Sequence, residues 1–208
     1  MAKHSSEPQE PSGWHSRGFL PHFDAGEWRW QFITLHLGDA LPQGVIERWR
    51  QELAHSLAKD SDFGLELRRK IEHYLDKGYG ECYLRNERVA EMMQNSLLHF
   101  DEKRYELKAW VIMPNHTHFL LKPHEGFSLS SIVHSIKSFT ALEANKIIGK
   151  RGQFWQEDYF DRYIRDNEHF GKTVWYIENN PVKAGLCEKP SDWRFGSGAR
   201  TPCPPLPR

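Results

Sequence analysis

The stretch AWVIMPNHTHFLLKP, residues 109–123, decides the fold of this chain. Apolar residues dominate on both sides of its Pro-Asn dipeptide, and the runs Tyr105–Met113 and His116–Lys122 are typical of two β-strands. Pro-Asn is a tight-turn signal, so the two strands are predicted to form an antiparallel hairpin. The Phe-Leu-Leu continuation at residues 119–121 predicts that the second strand is a buried element.

Elements on either side of this hairpin alternate between strand and helix. Aromatic and β-branched residues predict strands at Trp28–Leu37 and near Tyr159–Ile164. Apolar spacings of three and four predict helices at Pro42–Ala58, Leu65–Leu75, Asn86–Phe100, Ser128–Ile148 and from Asn167 onward. We expect the last helix to end at Asn179 or Asn180, because Pro181 disfavours helix in the residue before it. An antiparallel sheet with helices packed on it is the α+β class.

The two ends of the chain differ from the region between them. Residues 1–13 are polar and rich in Ser, Glu and Pro, and residues 196–208 read GSGARTPCPPLPR, so both are predicted to be disordered tails. A single domain is predicted over residues 14–195, which is long enough to bury a full core.

Composition excludes several classes of protein. No run of about 18 apolar residues is present to cross a membrane, and the N-terminus lacks the apolar core of a signal peptide, so we expect a cytoplasmic protein. Cys82, Cys187 and Cys203 stand at unrelated spacings and are predicted to be reduced thiols. Lys plus Arg and Asp plus Glu number 28 each, so the net charge gives no indication of a nucleic-acid partner.

Two histidines in the second strand of the hairpin are the first candidates for chemistry. Strand side chains alternate between faces, so His116 and His118 point the same way. Two imidazoles so placed can chelate one divalent ion. Chance or structural placement is the competing interpretation, since the chain has 12 histidines. Polar rings in a buried strand nevertheless need partners, which favours a functional interpretation.

Tyr176, in the last predicted helix, is the second candidate. It lies about 120° from the middle of the apolar stripe of Phe170, Val174 and Ile177, as 3.6 residues per turn dictates. It is therefore predicted on the flank of the helix, above the sheet. Asn180 follows four positions later and shares its helix face. The alternative is an amphipathic core tyrosine with an ordinary hydrogen-bonded hydroxyl.

Four segments in fixed order resemble the single-tyrosine HUH transposases, in particular the REP-associated tyrosine transposases. They are AWVIMPNHTHFLLKP (109–123), SLSSIVHSIKSFT (128–140), FWQEDYFDRYIRDNEHF (154–170) and YIENNPVKAG (176–185). GFLPHFDAGEWRWQFITLHL at 18–37 also looks like this branch, so the resemblance extends over residues 14–195. It implies a ferredoxin-like antiparallel sheet with packed helices.

The resemblance also implies a role for each candidate. His116 and His118 would be metal ligands, and Asn180 would be a third, amide ligand. Tyr176 would attack a DNA phosphodiester and leave a 5′-phosphotyrosine. Mg²⁺ prefers oxygen ligands and Mn²⁺ accepts imidazole, so either ion suits this set. The implied partner is single-stranded DNA beside a hairpin, bound in the cytoplasm at the nucleoid by a monomer or a homodimer.

Basic and aromatic residues outside this set are candidates for DNA binding. Trp14, Arg17 and Phe19 interleave aromatic and basic groups, as stacking on unpaired bases beside phosphates requires. The basic candidates nearer the site are Lys122, Lys137, Arg162, Arg165 and Lys183. Each of these charges is alternatively a solvated surface residue.

Two other functions stay open. One is a DNA-hairpin-binding protein that has lost its chemistry, although both histidines, the tyrosine and the asparagine are present. The other is an unrelated hydrolase in which His116, His118 and a carboxylate such as Asp158 or Asp161 bind zinc.

Overall fold

The computed structural model describes residues 14–17, 20–23, 29–56 and 63–199. Its strands and helices are, in chain order, β1 (Trp14–Arg17), β2 (Leu20–Phe23), β3 (Gln31–His36), α1 (Gln43–Ser56), α2 (Phe63–Asp76), α3 (Glu87–His99), β4 (Tyr105–Ile112), β5 (His116–Pro123), α4 (Leu129–Ile148), β6 (Phe160–Tyr163) and α5 (Asn167–Lys183). Short 3₁₀ turns occupy Tyr83–Arg85, Pro190–Asp192 and Ser197–Ala199. Within the described ranges no helix is long and apolar enough to span a membrane.

The main sheet has four strands in the order β4-β5-β3-β6, and every neighbouring pair is antiparallel. The predicted hairpin is confirmed as β4 and β5, and it is closed by a hydrogen bond of 2.9 Å from the Met113 amide to the His116 carbonyl. Helical segments connect β3 to β4 and β5 to β6, which gives the ferredoxin-like α+β arrangement. A separate antiparallel pair, β1 with β2, was not expected from the sequence.

The two faces of the sheet are covered by different helices. Leu35, Phe119 and Leu121 belong to a large core to which α3 and α4 contribute their apolar stripes. The opposite face carries Phe32 and Leu120, which pack in a smaller core with α5. Directly paired residues of an antiparallel sheet point to the same face. His118 pairs with Thr34, two residues from Phe32 along β3, so the histidine pair lies on the α5 face.

The prediction that the last helix ends before Pro181 is wrong. Helix α5 runs through Pro181 to Lys183, and its last turn is closed by a 2.9 Å hydrogen bond from the Ala184 amide to the Asn180 carbonyl. Proline removes one hydrogen bond of the helix, but it does not prevent its own carbonyl from accepting one. The Pro181 carbonyl accepts from the Leu186 amide at 2.8 Å. Asn180 is consequently held in regular helix.

The domain also extends past its predicted end at residue 195. Gly196 forms a bridge with Val111 of β4, and the Ser197 hydroxyl accepts a hydrogen bond from the Trp110 amide at 3.2 Å. A Cβ atom on Gly196 would lie 3.3 Å from the Trp110 carbonyl oxygen, so the small residue permits this close approach. Residues 196–199 are therefore ordered against the sheet. The predicted tail at 1–13 and the remainder of the C-terminal one, 200–208, lie outside the described residues.

Candidate active site

His116 and His118 are fully buried on adjacent same-face positions of β5, with ring centroids 4.7 Å apart. The Asn115 side-chain amide donates to the Tyr79 carbonyl at 2.9 Å, which leaves its Oδ1 toward His116. An amide oxygen only accepts, so His116 Nδ1 carries a proton and donates it over 2.7 Å. The lone pair of His116 is therefore on Nε2, which is buried and has no hydrogen-bond partner.

His118 is oriented in a similar way by β3. Its Nδ1 is hydrogen-bonded to the Thr34 hydroxyl at 2.8 Å, its ring stacks on Phe32, and its Nε2 is buried without a partner. Burial lowers the pKa of His118 to about 3, with the charge of Lys183 acting in the same direction. Burial likewise lowers the pKa of His116 far below its usual value. Both rings are thus neutral at physiological pH, the form in which imidazole binds a metal.

Tyr176 of α5 lies directly over this pair. Its ring centroid is 5.4 Å from that of His118 and 5.9 Å from that of Phe32. The hydroxyl is buried and has no hydrogen-bond partner, which is unusual for a structural tyrosine. Burial raises the pKa of this hydroxyl far above its usual range, Glu72 and Asp76 raise it further, and Asn180 opposes them.

Asn180 completes the group from the next turn of α5. Its side chain is wholly buried, and neither its amide oxygen nor its amide nitrogen has a hydrogen-bond partner. The two imidazole Nε2 atoms and the amide oxygen, all buried and without hydrogen-bond partners, are donor types that fit a divalent ion. In this structure all of these groups come from one copy of the chain.

A zinc-hydrolase arrangement receives no support from the geometry. Across the described ranges, no group of three or more His, Cys, Asp or Glu side chains is placed to hold a metal. Asp161 pairs with Ile33 in the sheet register, which puts it on the face opposite the histidines. Among the described residues the histidine pair therefore has no carboxylate placed to complete a zinc site.

His36 was not among the sequence candidates, yet it lies directly opposite His116 in the β3–β5 register. Its Nδ1 donates to the Leu37 carbonyl at 3.3 Å, and burial lowers its pKa to about 4. Strand alternation indicates that His36 shares a face with Phe32 and Thr34. The pairing register between β3 and β5, which the sequence does not give, brings His36 beside His116.

A cavity of about 380 Å³ opens between α2, β6 and α5, and Tyr176 forms part of its wall. Two predicted DNA-binding residues, Arg162 and Arg165, line it, together with Arg68, His169 and Lys172. Lys183, also predicted, lies 5.4 Å from the centre of the Tyr176 ring and forms an ion pair with Asp76 at 2.7 Å. Three acidic side chains, Glu72, Asp166 and Glu168, line the cavity as well, so the nucleophile candidate borders a cavity with a small excess of positive charge.

The other DNA-binding candidates are placed elsewhere. Lys122 forms an ion pair with Glu106 at 2.6 Å, farther along β5. Lys137 donates to the carbonyls of Gln156 and Glu157, so it holds the segment before β6. Trp14 and Arg17 lie in β1, and Phe19 is outside the described residues.

Residues 81–180 match the family model described as "Transposase IS200 like". Over 110 residues the chain is 32% identical to the REP-associated tyrosine transposase of Escherichia coli (strain K12). The aligned stretch covers 51% of this chain and 63% of that relative. A Haemophilus influenzae protein is 27% identical over 103 residues, 45% of this chain and 58% of its own length. The matched stretches thus span about three fifths of the curated relatives.

One solved structure has the same fold. It is a REP-associated tyrosine transposase bound to a REP hairpin, and it superposes with a TM-score of 0.52 at 20% sequence identity. The match covers 89% of this chain and 82% of that one. The histidine pair, the tyrosine and the asparagine described above all lie within the residues that match the family model.

Proposed function

We propose that the chain is a member of the IS200-like transposase family, whose model residues 81–180 match, and that it cleaves and rejoins single-stranded DNA through Tyr176. The observation that carries the proposal is the convergence of buried polar atoms without partners. Native proteins satisfy nearly all buried polar groups, so several orphans at one place indicate a site that awaits a ligand. His116 Nε2, His118 Nε2, the Tyr176 hydroxyl and the Asn180 amide form such a place.

The reaction proposed is a transesterification. The Tyr176 oxygen attacks phosphorus, the bond from phosphorus to the 3′-oxygen breaks, and a 5′-phosphotyrosine with a free 3′-hydroxyl results. Because the phosphodiester energy is kept in the new ester, the reverse attack rejoins the strand without a nucleotide cofactor. Mg²⁺ or Mn²⁺ held by His116, His118 and Asn180 would supply Lewis-acid stabilisation of charge at the phosphate. The aromatic contacts with His118 and Phe32 fix the tyrosine ring for the attack.

The proposed substrate is a DNA hairpin with a single-stranded extension. The relatives named for REP elements, and the hairpin-bound structure of one of them, support this choice. The cavity beside Tyr176 adds a local argument, because Arg162, Arg165 and Arg68 give it the positive charge that a phosphate backbone requires.

The proposal is tested by incubating the protein with end-labelled hairpin DNA and Mg²⁺ or Mn²⁺, followed by denaturing electrophoresis. We expect a covalent protein–DNA adduct that chelator abolishes and that Tyr176→Phe does not form. Trp175→Phe is the matched control, because Trp175 is the exposed neighbour on the same helix. An adduct in Tyr176→Phe would disprove the assigned nucleophile. Hairpin binding without any adduct in the wild type would instead favour a protein that binds DNA hairpins without cutting them.

A further inference from the structure

The Tyr176 hydroxyl has to lose its proton as it attacks, and the groups already described do not accept it. The free Nε2 atoms of His116 and His118 are the proposed metal ligands, and each Nδ1 is already hydrogen-bonded. The Asn180 amide is not basic at physiological pH. Since the hydroxyl is buried, bulk water does not reach it. A proton acceptor therefore has to come from another element.

Helix α2 brings carboxylates to this position. The ion pair between Asp76 and Lys183 joins the C-terminal ends of α2 and α5, and the Asp76 side chain is only 9% exposed. Glu72 lies one turn earlier than Asp76 and shares its face of α2. It lines the same cavity as Tyr176, and its negative charge raises the pKa of the tyrosine hydroxyl.

We propose that Glu72 is the general base of the reaction, which rests on the proposed function of Tyr176. As the bond from the tyrosine oxygen to phosphorus forms, the phenolic proton passes to the Glu72 carboxylate. The 3′-oxygen leaves with the electron pair of its bond to phosphorus and takes a proton from water. In the rejoining step the 3′-hydroxyl gives its proton to hydroxide as its oxygen attacks phosphorus, and the protonated Glu72 returns its proton to the departing tyrosine oxygen. Protons and electrons thus balance in both directions.

The surroundings of Glu72 suit a carboxylate that has to bind and release a proton. Burial raises its pKa, Asp76 acts in the same direction, and the positive charges nearby oppose them. The charged and titratable groups around it are Arg68 and Asp76 on α2, Arg162 on β6, and Tyr176 and Lys183 on α5. A general base is most effective when its pKa lies near the operating pH, and a carboxylate with a raised pKa approaches that condition.

The test is the pH dependence of adduct formation in single turnover, with Glu72→Gln compared to the wild type. We expect a rate constant about 10²- to 10⁴-fold lower in Glu72→Gln, the range typical of general-base removal, with unchanged hairpin affinity. The acidic limb of the wild-type profile should disappear, and the residual rate should rise with hydroxide concentration. Replacing Tyr176 by a fluorinated tyrosine, whose phenol is more acidic, should rescue Glu72→Gln by a larger factor than it accelerates wild type. Glu66→Gln, on the exposed side of α2 in an ion pair with Arg69, is the matched control.

Several outcomes would overturn the assignment. If Glu72→Gln had the rate constant and the pH profile of the wild type while Tyr176→Phe were inactive, Glu72 would not be the general base. The assignment of Tyr176 as nucleophile would be unaffected. A uniform loss with an unchanged pH profile and weaker hairpin binding would indicate a structural role and also reject it. Glu72→Asp keeps a carboxylate and should therefore retain the acidic limb of the pH profile. Loss of the acidic limb in Glu72→Asp would contradict the role of Glu72 as general base. An inactive wild type would reject the proposed function itself, and Glu72 with it.

Discussion

Replacing Asn180 by leucine should stabilise the metal-free protein and remove its response to metal. Asn180 is wholly buried in α5, and neither atom of its amide has a partner. Leaving a buried polar group unsatisfied costs about 1 to 3 kcal/mol, and leucine has a similar size without that cost. Because about 1 kcal/mol shifts Tm by about 2 to 4 °C in a domain of this size, Asn180→Leu should raise Tm in chelator by about 2 to 12 °C.

With bound metal we expect the wild type to have a higher Tm than Asn180→Leu. An ion at 100 times its Kd stabilises a folded protein by about 2.7 kcal/mol, and the variant that lacks one of three ligands should lose most of this gain. Thermal unfolding with chelator and with increasing Mn²⁺ measures both effects in one series. Residues that function requires often lower the free energy of unfolding, and this is the effect expected of Asn180 in the metal-free protein.

Asn179→Leu is the matched control, because this neighbour is only partly buried and its side-chain amide donates to the Trp175 carbonyl. It should not raise Tm in chelator, and its response to Mn²⁺ should equal that of wild type. If Asn180→Leu were destabilised in chelator and still stabilised by Mn²⁺, then Asn180 would be a structural residue. The metal would then have to be held without it.

Two further predictions concern pH and DNA. The pKa of His36 is lowered to about 4 in the folded protein, whereas the unfolded chain takes up this proton near 6.5. The unfolding free energy should therefore fall as pH drops from 6.5 toward 4. His36→Gln should reduce this dependence of the unfolding free energy on pH by about 1.4 kcal/mol per pH unit, as measured by urea titrations. An unchanged pH dependence would contradict burial of a neutral His36 ring. Arg165→Gln should weaken hairpin binding and reduce the dependence of log K on log salt by about 1. Lys137→Gln should leave that dependence unchanged, because its ammonium group is bound to backbone carbonyls; an equal effect of both substitutions would contradict the placement of DNA along the cavity.

Local patterns predicted much of the site, because they depend on geometry within one element. Strand alternation placed His116 and His118 on one face, and helix periodicity placed Tyr176 and Asn180 on another, toward the sheet. The resemblance to a transposase family joined the two pairs, and in the fold the ring of Tyr176 lies 5.4 Å from that of His118. The roles of the four residues stay predictions. The Pro-Asn turn was sufficient to predict the β4–β5 hairpin.

What the sequence did not predict depends on pairing between distant elements. His36 reaches His116 only through the β3–β5 register, and Glu72 reaches Tyr176 only because α2 packs beside α5. Neither distance along the chain nor residue type indicates such contacts. The end of the domain was missed for a different reason, since Gly196 was read as a mark of disorder. In the fold it is instead the residue that allows a close backbone approach to β4.

The neutral net charge of the chain and its proposed DNA substrate are compatible because the charge is distributed unevenly around the nucleophile. Four arginine and lysine side chains and three acidic ones line the cavity beside Tyr176, so a phosphate there would meet a small excess of positive charge. Coulomb interactions across solvent are screened within about 10 Å at ordinary ionic strength, so the local cluster matters more to a bound phosphate than the total. We therefore expect the protein to bind DNA weakly where no hairpin directs the strand into the cavity. Its selectivity among DNA substrates would then come from the fit of one strand beside Tyr176. Positive charge over the whole protein surface would not be needed.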